Sequence, residues 1–267
     1  MSNSPLRMRR LGWAGVEIEF EGEILLIDYI KDTTLYEPLQ NPDEPFPSSS
    51  RPGCASVALL THLHADHADP DALTVALRKG APIFRPVRAT GIDGDLVLTN
   101  YAENKFTEKN IYTEIIGDWD ERIVGPFRMH TAPAVDGFGD PQVSWIIECG
   151  GRRIIHAGDT MFHGFWWRIA KKYGPFDVAF LPINAPVVNF PPLQPATELE
   201  AVMNPEQAAA AANILRTKLV VPIHYGSLHN PPVYIETPHS TERLHAKAAL
   251  FGIQSVAYQP GEWFSID

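Results

Sequence analysis

The sequence predicts an α/β fold, built on one mixed sheet or on two sheets covered by helices. Three features of its 267 residues lead there. Short apolar runs bounded by Gly, Pro, Asn or Asp recur along the chain, as strands do. Many strands come first, and strand–helix units follow. Several helical segments carry their own start signals. A hydrophobic content of 45% supplies ample material for a core. No repeat or clean linker divides the chain, so residues 1–267 are expected to form one domain.

The elements follow in order. "GVEIEFEGEILLIDYI" (15–30) reads as two strands turning at Glu21-Gly22. Residues 31–53, rich in Pro and Ser without periodicity, are expected to form a long loop insertion. "CASVALLT" (54–61) is a buried strand. A helix should follow, with Asp69 as cap, Pro70 in the first helical position and Gly80 as the stop. "APIFRP", "DLVLTN", "IYTEII" and "FRMHTA" read as further strands, and 142–159 as a hairpin turning at Gly150-Gly151. "HGFWWRIAKKYG" is a helix and "FDVAFLPIN" a buried strand. "NPEQAAAAANILR" is the clearest helix: Asn204 caps it, Pro205 opens it, and Gln207 stands three residues after the cap. "KLVVPIHY", the helix "STERLHAKAALFG" and the strands "SVAYQ" and "EWFSI" close the chain.

A net charge of −10 argues against a nucleic-acid backbone as the main partner. Two cysteines, Cys54 and Cys149, are too few for a disulfide framework; both sit in apolar runs and read as buried free thiols. No apolar segment follows the basic "MSNSPLRMRR", and no run approaches the roughly 18 apolar residues of a membrane span. The expected location is the cytoplasm and the expected partner a small-molecule substrate.

The chemistry concentrates in "THLHADHADP" (61–70), which holds three of the ten histidines. In an extended segment, positions i and i+2 point the same way, so His62 and His64 can grip one metal. Asp66 and His67 follow where the chain bends towards a helix, and can serve a second. Imidazole and carboxylate suit zinc, iron or manganese. The carboxyl end of a buried strand is also where α/β folds build sites. A solvated histidine-rich turn would have to assemble this spacing by chance, on the order of once per thousand chains of this composition.

"THLHADH" resembles the signature of the metallo-β-lactamase superfamily, and the resemblance runs in order through almost the whole chain. "HAGDT" (156–160) is similar to the motif whose aspartate, here Asp159, bridges two metals; "VVPIHYG" (220–226) is similar to the one whose histidine, here His224, binds the second. "LGWAGVEIEFEGEILLID" resembles the opening strands, with Trp13 where many relatives have His, and "GEWFSI" the closing strand. Asp28 matches a position near the site. The branch it most resembles contains L-ascorbate-6-phosphate lactonase and N-acyl phosphatidylethanolamine phosphodiesterases.

That resemblance implies an αββα four-layer sandwich of two mixed sheets flanked by helices. It implies two divalent metal ions: His62, His64 and Asp136 on the first, Asp66, His67 and His224 on the second, Asp159 between them. Asp136, in "TAPAVDG", stands where relatives usually carry histidine; His130 is the alternative third ligand, and a first site without a third ligand stays open. The implied reaction is hydrolysis of a small-molecule ester or lactone by a metal-bridging hydroxide, with a phosphodiester as the next choice. Asp66 is assigned to proton shuttling and His229 to substrate contact or general acid catalysis. Tyr225 is weighed as an oxyanion donor against plain packing, and His156 as a buried supporting residue. Relatives often form oligomers, which leaves a homo-oligomer open. Two other classes stay open: a diiron oxidoreductase, although such relatives usually need a flavin domain, and a metal-binding protein without catalysis.

Overall fold

The computed structural model describes residues 5–31 and 45–266. Most of the 31–53 loop expectation therefore lies outside the described residues; 45–53 run without helix or strand. In chain order the elements are β1 (Arg7–Arg10), β2 (Val16–Phe20), β3 (Glu23–Ile27), β4 (Val57–Leu59), α1 (Pro70–Ala76), β5 (Ile83–Arg85), α2 (Asn100–Glu108) and β6 (Glu114–Ile115). The second half holds β7 (Glu121–Val124), β8 (Phe127–Pro133), β9 (Val143–Cys149), β10 (Arg152–His156), α3 (Phe165–Tyr173), β11 (Val178–Pro182) and β12 (Val187–Val188). It closes with α4 (Pro205–Leu215), β13 (Leu219–Ile223), β14 (Tyr234–Ile235), α5 (Ser240–Leu250), β15 (Gln254–Ser255) and β16 (Phe264–Ser265).

Two seven-stranded sheets carry the fold, ordered β16-β1-β2-β3-β4-β5-β6 and β15-β13-β11-β10-β9-β8-β7. Strand periodicity assigns the layers. Along β3, Leu25 and Ile27 join a core shared with Val178, Phe180 and Val221 of the other sheet. Ile24 and Leu26 instead pack with Leu73 and Ala76 of α1 and Ala102 and Phe106 of α2. In β11, Val178 and Phe180 face the inter-sheet core, while Ala179 and Leu181 pack against α3, α4 and α5. Both faces of these strands are buried, hence their unbroken apolar runs. The result is the αββα sandwich: α1 and α2, sheet, sheet, then α3 to α5.

Strand direction places the site. β3 and β4 are parallel, and two antiparallel pairings make β1 point the same way. In the second sheet β10, β11 and β13 are parallel, and β8 shares their direction through antiparallel β9. The segments after β1, β3, β4, β8, β10, β11 and β13 thus leave their sheets in one sense, and they bring the cluster together.

Local chemistry explains the helices and the departures from expectation. In α4 the Asn204 side chain accepts from Gln207 N at 2.9 Å, and Gln207 Oε1 accepts from Asn204 N at 3.0 Å, a reciprocal cap. Asp69 caps α1 by accepting from Ala72 N at 2.9 Å. That helix ends at Ala76, before Gly80, because Ala55 takes over the backbone: Ala55 N donates to Ala76 O and Arg78 N to Ala55 O. "DLVLTN" is a turn leading into α2, not a strand. Ala102 and Phe106, one helical turn apart, anchor that otherwise polar helix. Cys149 is buried as expected, but Cys54 is exposed in the turn before β4. Among the described residues no helix is long and apolar enough to cross a membrane.

Candidate metal centre

His62, His64, Asp66 and His67 follow β4, Asp136 follows β8, Asp159 follows β10 and His224 follows β13. All seven are buried and converge on one point between the sheets. Three overlapping sets have ligand atoms within 4.8 Å of one another: Asp66, His67, Asp159 and His224; His62, His64 and Asp66; His64, Asp136 and Asp140.

Every one of the four histidines has one ring nitrogen held from outside and the other turned inward. His62 Nδ1 is 3.0 Å from Thr61 Oγ1, leaving Nε2 inward. His64 Nε2 is 2.8 Å from Asp140 Oδ2, leaving Nδ1 inward, and these two inward nitrogens stand 3.0 Å apart. His67 Nδ1 is 2.9 Å from Asp28 Oδ2, and His224 Nδ1 is 2.8 Å from Asn184 Oδ1. The Nε2 atoms of His67 and His224 are buried without a hydrogen-bond partner, as is Asp159 Oδ1. His224 Nε2 lies 2.9 Å from that oxygen and 3.6 Å from Asp66 Oδ2, and His67 Nε2 lies 3.7 Å from Asp66 Oδ2. Buried polar atoms are rarely left unpaired. Rings fixed from behind, with free nitrogens facing carboxylates, are what metal-binding imidazoles need.

The backbone is strained to make this arrangement. Trp13, Asp28, Ala185 and His224 adopt left-handed φ of 42°, 45°, 41° and 54°; such conformations cost of order 1–3 kcal/mol each. Hydrogen bonds hold three of them: His224 N donates to Trp13 O, and Asp28 N to Leu59 O. Gly158 has φ +70°, and a Cβ there would meet Thr61 and Gln142 within 3 Å, so "HAGDT" needs its glycine. Gln142 Oε1 in turn accepts from Asp159 N at 2.7 Å.

Electrostatics favour cations. Burial opposes charge on His64, yet the hydrogen bond to Asp140 and the charges of Asp136 and Asp66 push it up to about 9. Burial likewise opposes charge on His224, and Asp159 and Asp66 outweigh it, again to about 9. Burial would raise Asp66, but His67 and His224 hold it well below the usual carboxylate range. Burial, reinforced by His67 and His64, keeps His62 well below the usual imidazole value. Burial lifts Asp136 despite His64 nearby.

The remaining candidates divide. Asp28 reaches His67 and also accepts from Thr61 N and Oγ1 at 2.8 and 2.6 Å. His156 is buried, with Nε2 donating to Ala14 O and Nδ1 accepting from Gly158 N. His229 is not brought to the cluster: it is exposed, and its Nδ1 accepts from Glu236 N. His130 lies elsewhere on β8, between Glu121 and Glu148 at 3.4 and 3.8 Å. Tyr225 faces away, bonded to Arg10. Trp13, in the usual histidine position, donates from Nε1 to Asp66 Oδ2 at 3.0 Å.

Sequence reasoning missed Asp140, Asn184 and Tyr234. Asp140 stands four residues after Asp136 in a Gly-rich loop, the one spacing that could have suggested it. Tyr234 lines the narrow cavity, about 30 Å³, over the cluster, and its hydroxyl accepts from Asn184 Nδ2 at 2.7 Å. Burial, with Asp159 and Asp66 near it, raises its pKa well above 10, so it stays protonated.

Comparison with known proteins decides the family. A family model described as the beta-lactamase superfamily domain matches residues 24–225. The chain belongs to that superfamily. Within it, the chain is 30% identical over 246 residues to a UPF0173 metal-dependent hydrolase of Rubrobacter xylanophilus, covering 90% of this chain and 88% of the relative. This superfamily member is thus one of the UPF0173 metal-dependent hydrolases. Among solved structures it resembles Igni18, a metallo hydrolase from Ignicoccus hospitalis, with TM-score 0.65, 21% identity and 99% of both chains covered. It also resembles CmlA, a diiron β-hydroxylase from Streptomyces venezuelae, with TM-score 0.71 and 14% identity, over 99% of this chain and 55% of that one. These two likenesses are likenesses of fold.

Proposed function

We propose that this superfamily member is a hydrolase that holds two divalent metal ions and cleaves a small-molecule ester or lactone. The observation that carries the reading is the set of four histidines, each bonded from behind and each turning its other nitrogen inward, those of His67 and His224 unpartnered beside buried carboxylates. Asp66, His67, Asp159 and His224 would hold one ion; His62 and His64 would hold the other, with Asp136 beside His64. Two such ions supply Lewis acidity and a water activated near neutral pH, so that no serine or cysteine nucleophile is needed.

The chain's own groups do the rest. Asp28, Asn184, Thr61 and Asp140 fix the rings in place. Trp13 fixes Asp66, whose carboxylate stays anionic and is thereby suited to holding a cation. Tyr234 is protonated and, since its oxygen accepts from Asn184, is free to donate to a carbonyl oxygen as charge develops there. Phe138, Phe190, Pro186 and Leu228 wall the cavity and exclude water.

Among the described residues no Lys or Arg lines the cavity, which favours a neutral ester or lactone over an anionic phosphodiester. The cavity is much smaller than typical small-molecule sites, so the scissile bond would enter from its mouth. The test is metal removal by chelation, reloading with zinc, manganese or iron, and a screen of lactones, carboxylic esters and phosphodiesters. Turnover of a lactone or ester that is lost on chelation and restored by metal is the expected result. Metal-dependent turnover of phosphodiesters alone would overturn the substrate class, and no metal uptake would overturn the reading itself.

A further inference from the structure

Arg10, at the end of β1, is 3% exposed. Its Nη1 donates to the Tyr225 hydroxyl at 2.7 Å and to Tyr258 O at 3.1 Å, and its guanidinium lies over the Tyr225 ring at 4.5 Å. Its Nε is buried with no hydrogen-bond partner, and no carboxylate pairs with it among the described residues. Other buried arginines are treated differently. Arg9 binds Glu17 through Nε and Nη2 at 3.2 and 2.7 Å, and Arg85 pairs with Glu103 at 2.8 Å. A buried guanidinium without a counter-ion is unfavourable, and its fixed fork matches a two-oxygen anion.

Arg10 opens on a cleft of about 620 Å³, a volume in the range of small-molecule sites. Phe46 and Tyr258 give it apolar walls, and Thr241 and Gln259 stand at its polar side. The cleft shares no lining residue with the cavity over the metal cluster. Trp13 separates the two, bonded to Asp66 and with its ring 4.0 Å from that of His224. The Tyr225 hydroxyl accepts from Arg10, and its own proton finds no acceptor among the described residues, so it points to a second donor beside the fork.

We propose that this cleft is a second ligand site, taking a small organic acid whose carboxylate or phosphate binds Arg10 and Tyr225 while its apolar body packs between Phe46 and Tyr258. Its ligand would lie on the far side of Trp13 from the metal cluster. Calorimetric titration of the full, metal-loaded chain with inorganic phosphate and with benzoate tests it. At least one anion should show a binding event weakened about tenfold or more by Arg10→Met, the loss of a charge-assisted pair. Gln259→Glu, an exposed change that leaves Arg10 in place, should weaken the same event about threefold through charge repulsion. Phosphate binding without benzoate binding, or the reverse, supports the site and identifies the oxyanion it takes. If Arg10→Met does not fold, Gln259→Glu decides. Binding of neither anion, or affinities unchanged in every folded variant, overturns the proposal.

Discussion

On one side of Asp66, His67 and His224 face both Asp66 and Asp159, and four ligand atoms already lie within 4.8 Å of one another. On the other side, His62 and His64 meet only Asp66 at that spacing, while Asp136 and Asp140 approach through His64. The first half is finished by side chains from both sheets, anchored by strained backbone at His224 and Asp28. The second depends on the loop after β8, where Asp136 Oδ2 already accepts from Phe138 N and Asp140 N at 2.8 and 3.1 Å. One half is a ready site. The other offers two imidazoles and a carboxylate with one oxygen engaged, a harder and weaker donor set. The two proposed ions should therefore bind unequally.

The largest way to break the comparison is Asp159→Ala. It should empty the Asp66–His67–His224 side and reduce turnover by more than the roughly 10- to 100-fold cost of losing an outer hydrogen-bond partner. The fold should persist in circular dichroism, because the apolar inter-sheet core is untouched. Full metal content in the variant would show that Asp159 holds no ion.

Asp136→Ala comes next. It should remove the weaker of two metal-binding events and spare the tighter one, whose ligands are unchanged. Asp136→His should shift the weaker event towards zinc over manganese. Two undiminished events in Asp136→Ala would move the third-ligand role elsewhere, with Asp140 the nearest carboxylate.

A crossed pair of smaller changes sharpens the contrast. Asp28→Asn should weaken the tight event by about 10- to 100-fold and the weak one less, since Asp28 reaches His62 only through Thr61, while Asp140→Asn should weaken the weak event alone by a similar factor. Equal weakening of both events by either change would mean that the halves do not act separately.

The smallest effect concerns a histidine outside both halves. Burial pulls His163 down to about 4, whereas carboxylates lift His64 and His224 to about 9. An unfolded histidine protonates near 6.5. Between pH about 4 and 6.5 the unfolded chain binds the extra proton, so His163 makes stability fall as pH drops through that window. His163→Phe should flatten this part of the pH–stability curve measured by denaturant unfolding. An unchanged slope would mean that His163 does not titrate this way.

What the sequence made legible follows from what has a local signal. Asn204-Pro205-x-Gln207 specifies its own cap, and the motifs ending β4, β10 and β13 name their residues at fixed spacing. The α2 helix was hidden because two apolar residues alone anchor it. Asp140 and Asn184 were hidden because loops deliver them across the fold, and Tyr234 because a two-residue strand does, with no periodicity linking them to the cluster. His229 illustrates the converse: five residues from His224 in sequence, it is turned to solvent and held by Glu236 N.

The most direct measurement is a titration of the metal-stripped chain with manganese and with zinc, followed by calorimetry and elemental analysis. The account predicts two ions per chain, bound in two resolved steps, the tighter one abolished by Asp159→Ala and the weaker one by Asp136→Ala. A single ion per chain, or two ions bound identically and indifferent to both substitutions, would contradict it.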